Sequence, residues 1–256
     1  MICLKGETSY FLHPGSYTVG RKRTQDIPLS SVCVSREHAL IQVESDFSVF
    51  IKDLSTDGTF VDDQRLPKGD FVAVQPFSQV RFATQGDHVF IIEPIVFNLL
   101  LSQSSAANPV VQSFTALTGA TIYSSYTPEI THYVCNQFNF SSSGFWSLAS
   151  GIPIISISFL NAILQKSNFS SFPDISKHLP PVHPSIQSTI ISDQLLPNPD
   201  RCKVLQGVCV FVPSSWGRES IQLISALGGV VLEEGDPRCG EFSLHLKFEK
   251  KKMCCS

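Results

Sequence analysis

Residues 35 to 61 decide the fold of this chain, and two short blocks within them carry most of the information. The first block, Ser35-Arg36-Glu37-His38, directly precedes the alternating run Ala39-Leu40-Ile41-Gln42-Val43. Because alternation of this kind is typical of a half-buried strand, Ser35 and Arg36 are expected on a loop at a strand end. The second block, Asp53-Leu54-Ser55-Thr56-Asp57-Gly58-Thr59-Phe60-Val61, follows a strand predicted over 47–52 and is rich in turn-forming residues.

A third loop is predicted upstream of these two. Gly20-Arg21-Lys22-Arg23 follows the strand-like Tyr17-Thr18-Val19 and concentrates positive charge. Three loops that carry hydroxyls, backbone amides and guanidinium groups suggest an anion site, since these groups bind phosphate and carboxylate oxygens well.

These three blocks resemble the forkhead-associated (FHA) domain, whose pattern is Gly-Arg, then Ser-x-x-His, then a Ser-x-x-Gly-Thr turn. The resemblance covers roughly residues 1–93. It implies a β-sandwich whose loops at one end bind a phosphothreonine peptide. A phosphothreonine carries nearly two negative charges and three acceptor oxygens, so it needs a guanidinium with hydroxyl and amide donors.

The family match also assigns roles to individual residues. It implies that Arg21 and Ser35 hold the phosphate, that Arg36 adds a donor or a charge beside it, and that Thr56 contacts the phosphorylated residue. Secondary peptide contacts are conceivable at Lys22, Ser55 and Asp57, whereas Gly20, His38 and Gly58 are expected to be structural.

Asp57 departs from the family pattern, which commonly has Asn before the Gly-Thr pair to contact the peptide backbone. A carboxylate cannot donate as an Asn amide does, and it adds negative charge near an anion. The departure bears on affinity and on the sequence preference after the phosphothreonine, not on the fold.

The overall composition indicates a globular protein and argues against several functions. The chain has 256 residues, 43% of them apolar, and a formal net charge of -3, which does not suit a protein that mainly binds the nucleic-acid backbone. The eight cysteines show no zinc-ligand spacing, so we expect reduced thiols, no metal and no cofactor. We also expect no signal peptide, no membrane span and no enzymatic activity, because no nucleophile elbow or phosphate-cradling glycine loop occurs.

The residue pattern changes after residue 94. Residues 1–93 read as short strands, the last two at 79–82 and 89–92 joined by a turn at Gln85-Gly86-Asp87. Residues 95–168 instead alternate between strands and helices, which predicts a parallel sheet. The strands are expected at 95–101, 120–123, 131–134 and 153–157, and the helices at 109–117, 145–149 and 159–165, with Gly119 ending the first helix.

This second unit resembles a BRCT domain through its element order, the Thr118-Gly119-Ala120 turn and Thr131-His132-Tyr133-Val134. Phosphoserine-binding members of that family need a hydroxyl near the end of the first strand, which Ser102 or Ser104 could supply. They also need a Lys on the second helix, but residues 141–150 contain none. We therefore expect no phosphate binding here, and we expect His132 to be a core or turn residue.

Residues 169–200 hold six prolines and predict a linker, with packing along the preceding unit left open. Residues 201–256 contain a strand at 207–212, a helix at 215–227 with Ser215 as its cap, and a strand at 230–233. They resemble the opening part of a second BRCT domain followed by a charged tail with Lys247 to Lys252. The predicted fold class is multi-domain, an all-β FHA sandwich followed by α/β BRCT units with a small parallel sheet.

An FHA domain joined directly to BRCT units resembles the adaptor subunit of the double-strand-break repair nuclease complex. The resemblance implies a nuclear protein that binds acidic segments phosphorylated on Ser or Thr, with segments for the other complex subunits lying beyond this chain. No direct binding to nucleic acid or membrane is expected. Another FHA and BRCT adaptor, or a scaffold that has lost phosphopeptide binding, are the alternatives.

Overall fold

A computed structural model describes residues 1–84, 88–165, 168–212 and 217–233. The predicted turn at Gln85-Gly86-Asp87, the predicted cap Ser215 and the basic stretch Lys247 to Lys252 lie outside these described residues. Within the described ranges, no helix combines the length and the apolar character needed to cross a membrane.

The first part of the chain consists of strands that form two sheets. The strands are β1 Ile2–Lys5, β2 Tyr10–Leu12, β3 Gly15–Gly20, β4 Ile27–Pro28, β5 Ala39–Val43, β6 Val49–Asp53, β7 Thr59–Val61, β8 Gln64–Arg65, β9 Phe71–Val74, β10 Gln79–Phe82 and β11 Val89–Pro94. One sheet has the order β2-β1-β11-β10-β7-β8, and the other has the order β4-β3-β5-β6-β9. The predicted strands 39–43 and 79–82 have these bounds in the structure.

The two sheets pack face to face around one core. Alternate residues of β5 and β6 point inward, so that Ile41 and Ile51 are fully buried against Leu4 and Ile92 of the other sheet. Burial of one face of each sheet is what the period-two pattern predicted. The strand predicted over 47–52 begins only at Val49, because Phe47 has a φ of 66° in a tight turn where its amide donates to the Glu44 carbonyl at 2.9 Å.

The second part of the chain is an α/β unit. Its elements are β12 Asn98–Leu101, α1 Gln103–Ala106, α2 Pro109–Thr118, β13 Thr121–Tyr123, β14 His132–Val134, α3 Ser142–Ala149, β15 Ile154–Ile155 and α4 Ile157–Leu164. The strands are parallel in the order β13-β12-β14-β15. The sheet is buried on both sides, with Phe114 of α2 and Phe159 of α4 in the core on one side and Phe138 in the core on the other. His132 lies in the first of these layers between Phe97 and Phe159, and burial lowers its pKa to about 4.

Capping residues set the ends of the helices in this unit. Helix α2 starts after Asn108, whose side chain accepts from the Val110 amide, and ends at Gly119 with a φ of 70°, as expected. Helix α3 begins earlier than the predicted residue 145, because the Ser141 hydroxyl accepts from the Gly144 amide at 3.2 Å and caps it. The strand predicted over 95–101 is shortened to β12, since Ile95 pairs with Met1 of the first unit.

The two units share β1. Ile2 and Leu4 point into the core of the sandwich, whereas Met1 and Cys3 belong to the core of the α/β unit together with Phe97 and other residues. At the same junction β11 runs on to Pro94, which pairs with Ile2. Because β1 is buried on both faces, its first three residues are all apolar and do not alternate with polar ones.

The segment predicted as a linker is packed against both units. Its strand β16, Asn168–Phe169, pairs antiparallel with β2 of the sandwich. Further on, 3-10 turns occur at Ile175–His178, Pro184–Ile186, Ser192–Leu195 and Pro199–Lys203. Val182, Ile190 and Leu195 are buried in the core beside α3.

The remaining described elements are β17 Cys209–Val212, α5 Arg218–Ala226 and β18 Val230–Glu233. The two strands pair in parallel, and the strand predicted at 230–233 has these bounds. Several of their apolar side chains are only partly covered, with Phe211 57% exposed and Val230 40% exposed.

We expect Phe172→Ala to weaken the packing between the two units, which the shared strand β1 still joins. The Phe172 ring lies 4.3 Å from the Phe11 ring of the sandwich and 6.0 Å from the Phe97 ring of the α/β unit, measured between centroids. Its loss removes apolar contact on both sides and should lower the free energy of unfolding by about 1 to 3 kcal/mol. Calorimetry should show a lower and broader transition than the intact chain gives.

Phe77→Ala is the matched control, because the same side chain is lost at a position that is 69% exposed. A Phe172→Ala variant no less stable than Phe77→Ala would contradict the role of Phe172 at the junction.

Candidate functional site

The predicted site residues lie on loops that follow β3, precede β5 and follow β6. The first two loops run side by side, since the Arg21 amide donates to the Ser35 carbonyl at 2.9 Å and the Lys22 amide donates to the Arg36 carbonyl at 3.4 Å. This approach requires Gly20, because a Cβ there would lie 2.5 Å from the Arg36 carbonyl oxygen. Gly20 therefore allows the two loops to lie side by side.

Ser35 and Thr56 join the second and third loops. The Thr56 amide donates to Ser35 Oγ at 3.2 Å, and the two hydroxyl oxygens are 3.3 Å apart. Thr56 is exposed and Ser35 is half-buried. Two hydroxyls that were 21 positions apart in the sequence thus lie next to each other at the surface.

His38 supports this pair from below. The Ser35 amide donates to His38 Nδ1 at 3.1 Å, so the ring proton is on Nε2, which lies 3.2 Å from the Gly58 carbonyl and donates to it. The ring is fully buried against Phe82, with centroids 5.9 Å apart. The neutral His38 ring therefore bridges the two loops.

Ser55 stabilises the turn, and its hydroxyl is already engaged there. Its side chain is 1% exposed, and its hydroxyl accepts from the Gly58 amide at 2.7 Å. Beneath it the buried Asp53 carboxylate accepts from the Ser55 amide and from the Thr59 hydroxyl. Gly58 has a φ of 102°, a backbone conformation that favours glycine.

Asp57 has a partner that the sequence reasoning missed. Its carboxylate accepts from the Thr84 hydroxyl at 2.7 Å and from the Thr84 amide at 2.8 Å, and these bonds lower its pKa. Thr84 is itself held by Arg81, which donates to its carbonyl at 3.1 Å. The carboxylate thus serves as an acceptor for the neighbouring turn.

The basic side chains around the loops differ in whether they form an ion pair. Lys22 forms an ion pair with Glu37. Arg21, Arg23 and Arg36 are exposed, and none of them forms an ion pair with another described residue. These three cations thus lie on the two loops whose backbones meet at Ser35 and Arg36.

In the α/β unit, hydroxyl groups gather near the end of the first strand, β12, where phosphoserine-binding members of the BRCT family have theirs. Ser102 and Ser104 line a cavity of about 570 Å³ together with Tyr133 and the Ser141–Ser143 end of α3. No residue described as lining it is Lys or Arg. The expectation that this unit does not bind phosphoserine stays a prediction.

We expect stability to fall as the pH drops below about 6.5, and His38→Gln to reduce that dependence. Burial lowers the pKa of His38 from 6.5, so the unfolded chain takes up a proton at a higher pH than the folded chain does. The stability that neutral His38 contributes is complete above pH 6.5, the ordinary pKa of histidine. It is lost as the pH falls from there through the lowered pKa of the folded chain. Denaturant unfolding at pH 7.5 and pH 5.0 measures the effect.

Burial also lowers the pKa of His132, so this residue too makes the stability fall with decreasing pH. The contribution of His38 is therefore measured by comparing the pH dependence of the original chain with that of His38→Gln. His38→Gln also loses the bridge between the loops and should be about 1 to 3 kcal/mol less stable at neutral pH. His183→Gln is the control for the loss of an imidazole that accepts an amide hydrogen bond on a surface turn, and it should cost less stability at neutral pH than His38→Gln does. Parallel profiles for the original chain and His38→Gln would contradict this role for His38.

Comparison with known proteins agrees with this geometry. Residues 17–83 match the FHA domain family. The chain is 25% identical to nibrin of zebrafish, Danio rerio, over 236 residues, which cover 90% of this chain and 28% of that protein. It is 26% identical to nibrin of the mouse, Mus musculus, over 196 residues, which cover 72% of this chain and 26% of that protein. The chain thus spans about a quarter of the length of these curated relatives.

A solved structure shows the same architecture over most of the chain. The FHA-BRCT1-BRCT2 domains of S. pombe Nbs1 align with a TM-score of 0.57 and 20% identity, covering 91% of this chain and 82% of that one. At 20% identity this similarity shows a common fold and no more. Residues 17–83 thus match the FHA family, the chain has a fold similar to that of the FHA-BRCT1-BRCT2 domains of S. pombe Nbs1, and its sequence resembles that of nibrin.

Proposed function

We propose that this chain is an adaptor that binds phosphothreonine peptides through the loops of its FHA domain. The observation that carries the proposal is the contact between Ser35 and Thr56, which places two hydroxyls side by side on loops next to the one that carries the exposed Arg21. Such a set of donors matches a phosphate that has three acceptor oxygens and nearly two negative charges.

Each residue has a definite role in the proposal. Arg21 and Ser35 hold the phosphate, Arg36 adds a charge beside it, and Thr56 contacts the phosphorylated residue. Lys22 contributes less, because Glu37 already neutralises it. The loops are fixed by His38 before any peptide arrives, so little ordering free energy is lost on binding.

The wider role follows from the relatives. We infer a part in DNA double-strand-break repair and checkpoint signalling, as a nuclear subunit of a repair nuclease complex. The partners would be acidic protein segments phosphorylated on Ser or Thr. S. pombe Nbs1, which has a similar fold, has been solved in a complex with Ctp1. We assign residues 1–93 to the FHA domain, 95–168 to a first BRCT domain, 169–200 to the connecting segment and 201–256 to part of a second.

The main alternative is a scaffold whose FHA loops no longer bind phosphate, and Asp57 favours it. A carboxylate close to the Ser35 and Thr56 hydroxyls repels an anion. In the structure, however, this carboxylate accepts two hydrogen bonds from Thr84, which offset part of its charge. An adaptor with the same domains and another partner is the second alternative. Enzymatic activity is not part of either.

The test is binding of an acidic phosphothreonine peptide and its unphosphorylated form to the whole chain, measured by calorimetry. We expect binding only with the phosphate, and we expect Arg21→Ala to weaken it by at least about tenfold, because a charged hydrogen bond is lost. The affinity should fall as salt rises.

Arg23→Ala is the matched control, since it removes an equally exposed guanidinium from the same loop and should change the affinity little. Equal and weak binding of both peptides to every variant would support the scaffold and reject the adaptor.

A further inference from the structure

A cavity of about 450 Å³ lies at the junction of the sandwich and the α/β unit, although no motif in the sequence indicates it. The sandwich lines it with the turn before β6 and the segment after β9, and the α/β unit lines it with residues 94–96 and the end of α2. The two sides are in close contact, because a Cβ on Gly119 would lie 2.5 Å from the Phe47 ring. Cavities between domains are frequent binding sites, and this volume lies within their usual range.

The cavity is far from the loops of the candidate site. The loop that carries Ser35 precedes β5, whereas the turn that lines the cavity follows β5, at the other end of a strand of five residues. Five residues of strand span about 17 Å. A molecule in the cavity therefore leaves the Ser35 and Thr56 hydroxyls free, and a role for the cavity goes beyond the proposed function.

Phe77 stands at the edge of the cavity in a conformation that suits it poorly. The Ser78 amide donates to the Gln75 carbonyl at 3.2 Å, so residues 75–78 form a turn, and Gln75 and Pro76 of this turn line the cavity. Phe77 is the third residue of the turn and has a φ of 68°, for which glycine is the favoured residue. It is nevertheless 69% exposed, so the strained backbone gains little packing in return. An exposed aromatic ring on a strained turn indicates a binding role.

The charged side chains of the turn before β6 are both acidic. Asp46 is exposed, and no other residue described as lining the cavity has a charged side chain. Glu44 lies on the same turn, and neither carboxylate forms an ion pair with a described residue. Burial lowers the pKa of the amino group of Met1, another lining residue, to about 5, so this group adds little positive charge at pH 7. The cavity thus combines an apolar lining, in which Val96 is 62% exposed, with a negative edge.

We propose that this junction binds a segment of a partner protein that places one large apolar side chain in the cavity and a Lys or Arg against Asp46. Phe77 and Val96 cover the apolar side chain, and the burial of these exposed surfaces drives binding. The basic neighbour makes the segment complementary to Asp46 and Glu44, which repel acidic segments. The acidic phosphopeptides of the proposed function are thus disfavoured here, and the two sites take different segments.

The experiment selects random peptides displayed on phage that bind the whole chain and do not bind Phe77→Gly. We expect the selected peptides to share a large apolar residue beside Lys or Arg. Calorimetry with a synthetic copy of one such peptide should show an affinity about twofold to fivefold lower for Asp46→Asn and for Val96→Ala. Asn at position 46 can still accept from the Ser48 amide as Asp46 does at 2.9 Å, so the turn is kept.

Phe77→Gly should fold as the original chain does, with the same or a higher midpoint of thermal unfolding, because glycine suits the turn. It should also keep the affinity for the phosphothreonine peptide. The matched controls are Ile191→Ala, which shortens an apolar side chain that is 61% exposed, and Glu7→Gln, which removes an exposed carboxylate. Neither residue lines the cavity, and both variants should bind the selected peptides with the original affinity.

The inference is wrong if no peptide distinguishes the original chain from Phe77→Gly, or if the selected peptides lack Lys and Arg. Sedimentation of the chain alone tests another occupant, because a dimer that Phe77→Gly dissociates would assign the cavity to a second copy and overturn the proposal. If the selected peptides behave as expected while the phosphothreonine peptide and its unphosphorylated form bind equally, the proposed function fails and this inference stands.

Discussion

The candidate site depends on one buried ring. His38 accepts a hydrogen bond from the Ser35 amide and donates one to the Gly58 carbonyl, so a single neutral imidazole sets the distance between two loops. With both loops held in this way, the Ser35 hydroxyl lies next to Thr56 and accepts from its amide. The loops therefore owe their shape to the core of the sandwich, where the ring packs against Phe82, and not to a ligand.

Buried contacts also join the sandwich to the α/β unit. A strand normally buries one face, but β1 contributes Leu4 to one core and Cys3 to the other. The site loops and the parallel sheet are thus parts of one packed body. A phosphopeptide held at the loops would meet the α/β unit in a fixed orientation, without the freedom that a flexible linker gives.

Local patterns predicted a large part of this arrangement. Alternation located β5 and β10, and Gly119 located the end of α2, because these signals act within a few residues. The bond between Asp57 and Thr84 spans 27 positions, and the pairing of β16 with β2 brings together strands that are more than 150 positions apart, so no local pattern reports either. No local pattern reports the burial of Ser55 either, because a hydroxyl on a turn looks the same in sequence whether it points outward or accepts an amide.

The pairing of β16 with β2 also bears on solubility. Without β16, β2 would be an edge strand with unpaired amides and carbonyls, and such edges recruit strands from other molecules. The chain that returns from the α/β unit thus covers the edge of the sandwich, as a helix or a charged bulge does in other sheets. A sandwich cut away from residues 168 and 169 would expose this edge together with Phe11, and it would be prone to self-association.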